Sequence, residues 1–251
     1  MQRTFNPYEL TQLVRAKIDP TQIDDKDTRP VEYITGLVEF CDLEFLVGPD
    51  VLIPRIETEW LVNRTVKVIT ELLAQHNRKI RILDLGTGSG AIAICLAKKF
   101  TSSINRLEIV ASEVSAPALV FANQNATQIL GEDHQIKFVE SDLFDQIDQT
   151  KKFDIIITNL PYIPRERIDY LDSSVKDHEP KIALDGGNSG FELITKMLNS
   201  AKTYLDKNGV ILLEIDHTHV GEIWQNATKN WSVNLELDEF TRNRFAILRP
   251  I

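Results

Sequence analysis

The sequence predicts an α/β fold, a mostly parallel sheet with helices on both faces, closed by a C-terminal antiparallel hairpin. Three observations carry that expectation. From residue 80 onward, short apolar runs rich in β-branched residues alternate with segments of helical periodicity. A glycine-rich stretch, Asp84-Leu85-Gly86-Thr87-Gly88-Ser89-Gly90-Ala91, joins the first of those runs to a helix. Finally, Phe153 to Pro164, FDIIITNLPYIP, reads as a strand buried on both faces. Pro161 cannot continue a ladder, so the chain leaves the sheet where Asn159 and Tyr162 are displayed.

Taken in order, residues 1–29 form a short helical lead-in and linker, with Leu10, Leu13, Val14 and Ile18 on one face and an acidic run at Asp24 to Asp27. A second domain is expected over 30–251. It opens with three apolar pieces, Val31 to Ile34, Leu37 to Phe40 and Leu43 to Val47, broken by glycine and proline and read as short strands or a hairpin. A helix follows from Thr58 to about Gln75, with Thr58 or Glu57 as its cap. Strands are expected at Ile80 to Leu85, Leu107 to Ala111, Ile136 to Val139, Phe153 to Asn159 and Gly209 to Ile215. Helices fall at Gly90 to Phe100, Ala116 to Leu130, Phe191 to Leu205 and Val220 to Asn230. Ser232 to Leu237 and Arg244 to Leu248 supply the closing hairpin.

Composition narrows the class. With 251 residues the chain can bury a large core, and its 43% apolar content is that of a globular protein. A net charge of -9 argues against binding nucleic acid mainly through phosphates, so no direct nucleic-acid partner is expected. Two cysteines make no disulfide framework, no signal peptide or spanning stretch is visible, and a cytoplasmic protein without a membrane partner is expected. The oligomeric state is left open.

The glycine loop carries the first chemistry. Glycines there permit a tight turn and close ligand approach, and the helix start offers unpaired N–H groups. The next strand ends at Ser112-Glu113, where a carboxylate can accept from both hydroxyls of a ribose. Gly86, Gly88 and Ala91 also satisfy the dinucleotide fingerprint, so the loop alone means a nucleoside-containing cofactor and leaves a nicotinamide-dependent oxidoreductase open. At the third strand end, Ser141-Asp142-Leu143-Phe144 offers an acid for an exocyclic amine and apolar groups to flank the ring; Asp142 can equally be a helix cap.

DLGTGSGAIA, the acid at Glu113, SDLF and NLPY, in this order, resemble a class I S-adenosylmethionine-dependent methyltransferase with a Rossmann-like sheet. More narrowly, RPVEYITG (29–36), LIPRIETEWLV (52–62), HEPKIALDGGNSGFELI (178–194) and LLEI (212–215) are similar to the HemK family of peptide chain release factor glutamine methyltransferases. The similarity runs from about residue 29 to the C-terminus. Leu160 stands where that family usually has a proline, and about thirty residues replace its helical N-terminal domain.

The resemblance implies methyl transfer from S-adenosylmethionine to the glutamine side-chain amide of a release factor's GGQ loop. An amide nitrogen is a poor nucleophile, so a site must orient it. Asn159 Oδ1 and the Leu160 carbonyl would each accept one N–H, and Tyr162 would stack on the planar amide. Substrate contacts are expected at Asn159, Leu160, Pro161, Tyr162 and Arg55, with Arg55 a surface ion-pair partner on the other reading. Cofactor contacts are expected at Gly86, Thr87, Gly88, Ser89, Gly90, Glu113, Asp142, Leu143 and Asn159. His178 and Glu179 are expected to shape the loop before Pro180, and His217 and His219 to be surface histidines without a metal. NLPY also resembles the strand-end motif of adenine dimethyltransferases that act on ribosomal RNA.

Overall fold

Residues 3–251 are described by a computed structural model, in which the alternating apolar runs pair into a seven-stranded sheet. The chain opens with α1 (Pro7–Arg15), α2 (Val31–Thr35), β1 (Leu37–Phe40), β2 (Leu43–Leu46) and the long α3 (Ile56–Gln75). The alternating part comprises β3 (Ile80–Leu85), α4 (Ala91–Lys99), β4 (Leu107–Glu113), α5 (Ala116–Leu130), β5 (Lys137–Glu140) and β6 (Phe153–Thr158). Two single-turn helices follow, α6 (Arg165–Ile168) and α7 (Ser173–Lys176). The chain then runs through α8 (Glu192–Tyr204), β7 (Leu205–Glu214), α9 (Glu222–Ala227), β8 (Trp231–Leu237) and β9 (Asn243–Pro250).

The strand order is β5-β4-β3-β6-β7-β9-β8, parallel from β5 to β7 and antiparallel in the last two pairings. β6 lies between β3 and β7, and every one of its residues is buried. Its side chains alternate as a strand requires. Ile155 and Ile157 join the core under α3, α4 and α5, whereas Ile156 joins the core under α8 and α9. Each of these isoleucines contributes about 1.5–3 kcal/mol by leaving water. Trp60 of α3 stacks on Phe245 of β9, centroids 3.9 Å apart, which packs the long helix across the antiparallel end of the sheet.

Several sequence expectations need correction. Val31–Thr35 is a helical turn rather than a strand, ended by Gly36 at φ +74°. The following hairpin turns on Cys41 and Asp42, both at positive φ (52° and 61°), a two-residue turn made without the customary Asn-Gly. Thr58 and Glu57 are not caps: α3 starts two residues earlier, and Arg55 occupies its N-cap position. Only Leu13 of the expected α1 face is fully buried, Val14 being 70% exposed. The helix expected over 220–230 spans only Glu222–Ala227, and α6 and α7 were not anticipated, being too short for periodicity to register. Among the described residues no helix is long and apolar enough to cross a membrane.

Residues 184–190 form a strap beneath the exit of β6. Ile163 N–H donates to Leu184 O, Gly186 N–H to Ile163 O and Arg165 N–H to Gly187 O. The strap must be glycine-rich because it runs backbone to backbone. A Cβ on Gly186 would lie 2.6 Å from Gly190 O and 2.8 Å from Pro161 O, and one on Gly190 would overlap the Tyr162 carbonyl oxygen.

Candidate active site

The carboxyl ends of β3, β4 and β6, with the residues just after β5, converge on one cavity of about 300 Å³, at the small end for a ligand site. Of the residues singled out in the sequence, Gly86, Thr87, Gly88, Ser89, Glu113, Asp142, Leu143, Asn159, Leu160, Pro161 and Arg55 line it. Thr58, Pro180, Ile182 and Ala183 also line it.

The glycine loop is held from below. Gly86 and Thr87 donate their N–H groups to Ser112 O at 2.8 and 2.9 Å, tying β3 to β4. Thr87 Oγ1 donates to Asp84 Oδ2 at 2.6 Å, and Ala93 N–H reaches the same oxygen at 3.1 Å. Asp84 is fully buried with Oδ1 unpartnered, and burial pushes its carboxyl up to about 7. Gly88, at φ +55°, lines the cavity, and a Cβ there would meet no atom within 4 Å. Its N–H donates to Glu113 Oε2 at 2.9 Å, while Glu113 Oε1 accepts from Val114 and Ser115 N–H at 2.9 and 3.0 Å. The acid is thereby fixed at the cavity wall with lone pairs to spare.

Gly90 does not line the cavity. It precedes α4 at φ +83°, and a Cβ there would strike Ile94 and Ala122, so its smallness serves the packing of α4 on α5. Asp142 caps no helix; it is exposed at the cavity edge and pairs with Lys196 at 2.7 Å. Leu143, at φ 49°, lines the cavity. Phe144, expected to flank the ring, instead stacks on Tyr204 at 4.4 Å inside the core.

At the exit of β6, Leu160 packs its Cδ2 about the glycine loop, 3.1 Å from a Cβ built on Gly86. Asn159 Nδ2 donates to Thr58 Oγ1 at 3.1 Å. Thr58 donates in turn to Glu214 Oε2 at 2.7 Å, and the other Glu214 oxygen accepts from Tyr162 O–H at 2.8 Å. Glu214 is 1% exposed, and burial pushes its carboxyl above the usual range against the pull of the two hydroxyls and Arg244. Tyr162, expected to stack on an acceptor, is therefore turned away: its ring is absent from the cavity wall, lies 5.8 Å from the Arg244 guanidinium, and its phenol is driven upward by burial beside Glu214. Sequence reasoning missed Glu214 as a site residue. The signal was an acid ending the otherwise apolar run Val210-Ile211-Leu212-Leu213, a burial that requires partners.

Arg55 lines the cavity and is ion-paired with the buried Glu179, whose other oxygen receives Ile53 N–H. Burial outweighs the arginine and leaves the Glu179 carboxyl raised. His178 holds Thr28 Oγ1 at 2.8 Å, so both residues before Pro180 tie the loop to its surroundings. His217 is exposed, but His219 is not a surface residue: it is fully buried against Phe191, ring centroids 5.0 Å apart.

Residues 62–171 match the family model described as "Methyltransferase small domain". A release factor glutamine methyltransferase of Koribacter versatilis is 36% identical over 215 residues, covering 86% of this chain and 72% of its own length. One from Lactococcus lactis subsp. lactis is 38% identical over 220 residues, covering 86% and 75%. Among solved structures, a ribosomal protein L11 methylase from Lactobacillus delbrueckii subsp. bulgaricus superposes with a TM-score of 0.54 over 81% of this chain and 83% of its own, at 17% identity, a likeness of fold.

Proposed function

The chain belongs to the release factor glutamine methyltransferases, and from that premise we propose that it methylates the side-chain amide nitrogen of the glutamine in the GGQ motif of a peptide chain release factor, with S-adenosylmethionine as methyl donor. The observation that carries the reading is the similarity to relatives of this activity over 86% of the chain.

The residues present fit the cofactor. A glycine whose missing Cβ leaves open space, a carboxylate fixed at the second strand end and an acid beside the third line one cavity. Gly86 to Ser89 would hold the amino-acid part, Glu113 the ribose hydroxyls, and Asp142 with Leu143 the base. When bound, S-adenosylmethionine supplies an electrophilic methyl on sulfur. The protein supplies orientation. Asn159 Oδ1 and the Leu160 carbonyl each accept one N–H of the substrate amide, which localises the nitrogen lone pair and favours the partly positive nitrogen of the transition state. Leu160 serves here through its main chain, so leucine in place of the family's usual proline leaves the chemistry intact. Its side chain adds a packing contact to Gly86. The nitrogen loses its proton once methylated, to water or a nearby acceptor. Arg55, anchored by Glu179, is available to the substrate backbone at the rim.

The test is peptide mass spectrometry of a release factor after incubation with enzyme and S-adenosylmethionine, with ribosomal RNA offered in parallel. One added methyl on the GGQ glutamine is expected. Methyl incorporation into RNA alone would overturn the substrate assignment. Asn159→Ala is expected to lower kcat at least 100-fold while S-adenosylhomocysteine still binds.

A further inference from the structure

An asparagine side chain presents an oxygen at one end and an NH2 group at the other, nearly equal in shape and opposite in hydrogen-bonding sense. Asn159 can accept a substrate N–H only if Oδ1 is the end turned to the cavity. The polar chain behind it decides which end that is.

Arg244 Nη1 donates to the Tyr162 oxygen at 3.4 Å, and Tyr162 donates its proton to Glu214 Oε1 at 2.8 Å. Glu214 Oε2 takes the Thr58 proton at 2.7 Å, and Thr58 Oγ1 accepts from Asn159 Nδ2 at 3.1 Å. Thr58 is 5% exposed and Glu214 1%, so solvent does not compete for these bonds. A hydroxyl has one proton to give, and a carboxylate has none. Thr58 must therefore donate to Glu214, which leaves only a lone pair for Asn159. A flipped amide would set Oδ1 against that lone pair with no proton between them.

We propose that Glu214, acting through Thr58, sets the direction of the Asn159 amide and holds Oδ1 toward the acceptor, making Glu214 and Thr58 positioning residues for methyl transfer. The inference rests on the reading that Asn159 accepts a substrate N–H.

Glu214→Gln tests it with almost no change of volume. Arg244 occupies the Tyr162 lone pair, so Tyr162 still needs an acceptor and the new amide turns its carbonyl that way. Its NH2 then faces Thr58, Thr58 becomes an acceptor there, and its freed proton favours the flipped Asn159. The expected result is a fall in kcat of about 100-fold, with affinity for S-adenosylhomocysteine and melting temperature near those of the parent. Thr58→Val should show the same split, with kcat down about 10-fold, and Thr58→Ser, which restores the hydroxyl, should return kcat to within a few-fold.

A pH profile separates positioning from support. A protonated Glu214 can itself donate to Thr58, so parental kcat should fall on acidification through the Glu214 pKa. Glu214→Gln should lack that limb. The charged and titratable groups facing Glu214 are Glu57 of α3, Tyr162 after β6 and Arg244 of β9, and burial moves the limb above the ordinary carboxylate range. Parental kcat in Glu214→Gln would overturn the inference, as would equal kcat in Thr58→Val and Thr58→Ser. Should Glu214→Gln not fold, the Thr58 pair decides alone. If Asn159→Ala keeps full turnover, the failure belongs to the acceptor reading beneath.

Discussion

Asp84 shows what a single carboxyl at the foot of the glycine loop implies for stability. Its ordinary value is 3.8 and burial raises it to about 7, so the folded protein favours the neutral acid and the unfolded chain the anion. Below pH 4 the group is protonated in both states and its contribution is fully present. As pH rises through 7, that contribution is lost, on the order of 4 kcal/mol in all. Urea unfolding at pH 5 and pH 8 should show the parent weaker at pH 8. Asp84→Asn should remove that difference, since an amide oxygen can still accept from Thr87 and Ala93. Residues such as Gly88, Glu113 and Asn159 were legible in the sequence because each sits at a strand end beside a recognisable turn. The Thr58–Glu214–Tyr162 contacts were not, because they join positions 156 and 52 residues apart. The bond from Tyr162 to Glu214 was hidden for the same reason, its motif neighbours saying nothing of Glu214.

The strap over 184–190 is the element on which the acceptor loop rests. Its glycines are explained by the backbone contacts the strap makes. Gly36 and Gly190 have nearly the same φ, +74° and +77°, yet a Cβ on Gly36 meets nothing within 4 Å while one on Gly190 overlaps a carbonyl. Gly36→Ala should cost about 1–2 kcal/mol from the left-handed backbone alone, with activity kept. Gly190→Ala should cost about 3 kcal/mol or more and lower kcat as well, because the clash falls on Tyr162 and shifts the β6 exit. Denaturant midpoints and single-turnover rates on the two variants check this. The strands of the alternating part matched their expected positions to within a few residues, since buried parallel strands are read directly from apolar runs. The helices α6 and α7 and the turn at Cys41-Asp42 escaped because neither periodicity nor turn chemistry marks them.

At the scale of the molecule, the cofactor assignment predicts linkage between binding and stability. Saturating S-adenosylhomocysteine at 100 times its Kd should stabilise the protein by about 2.7 kcal/mol, a shift of several degrees in Tm, whereas NAD at equal concentration should leave Tm unchanged. Differential scanning fluorimetry decides it. The overall class was legible from the alternation after residue 80, but the crossing of α3 over the antiparallel end was not, since it depends on Trp60 meeting Phe245 across 185 residues of chain. The strand order has a consequence for how the chain emerges. Within the seven-stranded sheet, β3, β4 and β5 are made first and complete the glycine loop and its acids, yet one edge of β3 stays unpaired until β6 arrives some seventy residues later. β3 is an apolar strand, so during synthesis that bare edge is a template for any extended chain nearby. The segment that closes it leads directly into Asn159, so the step that covers the open edge of β3 is also the step that brings in the acceptor site.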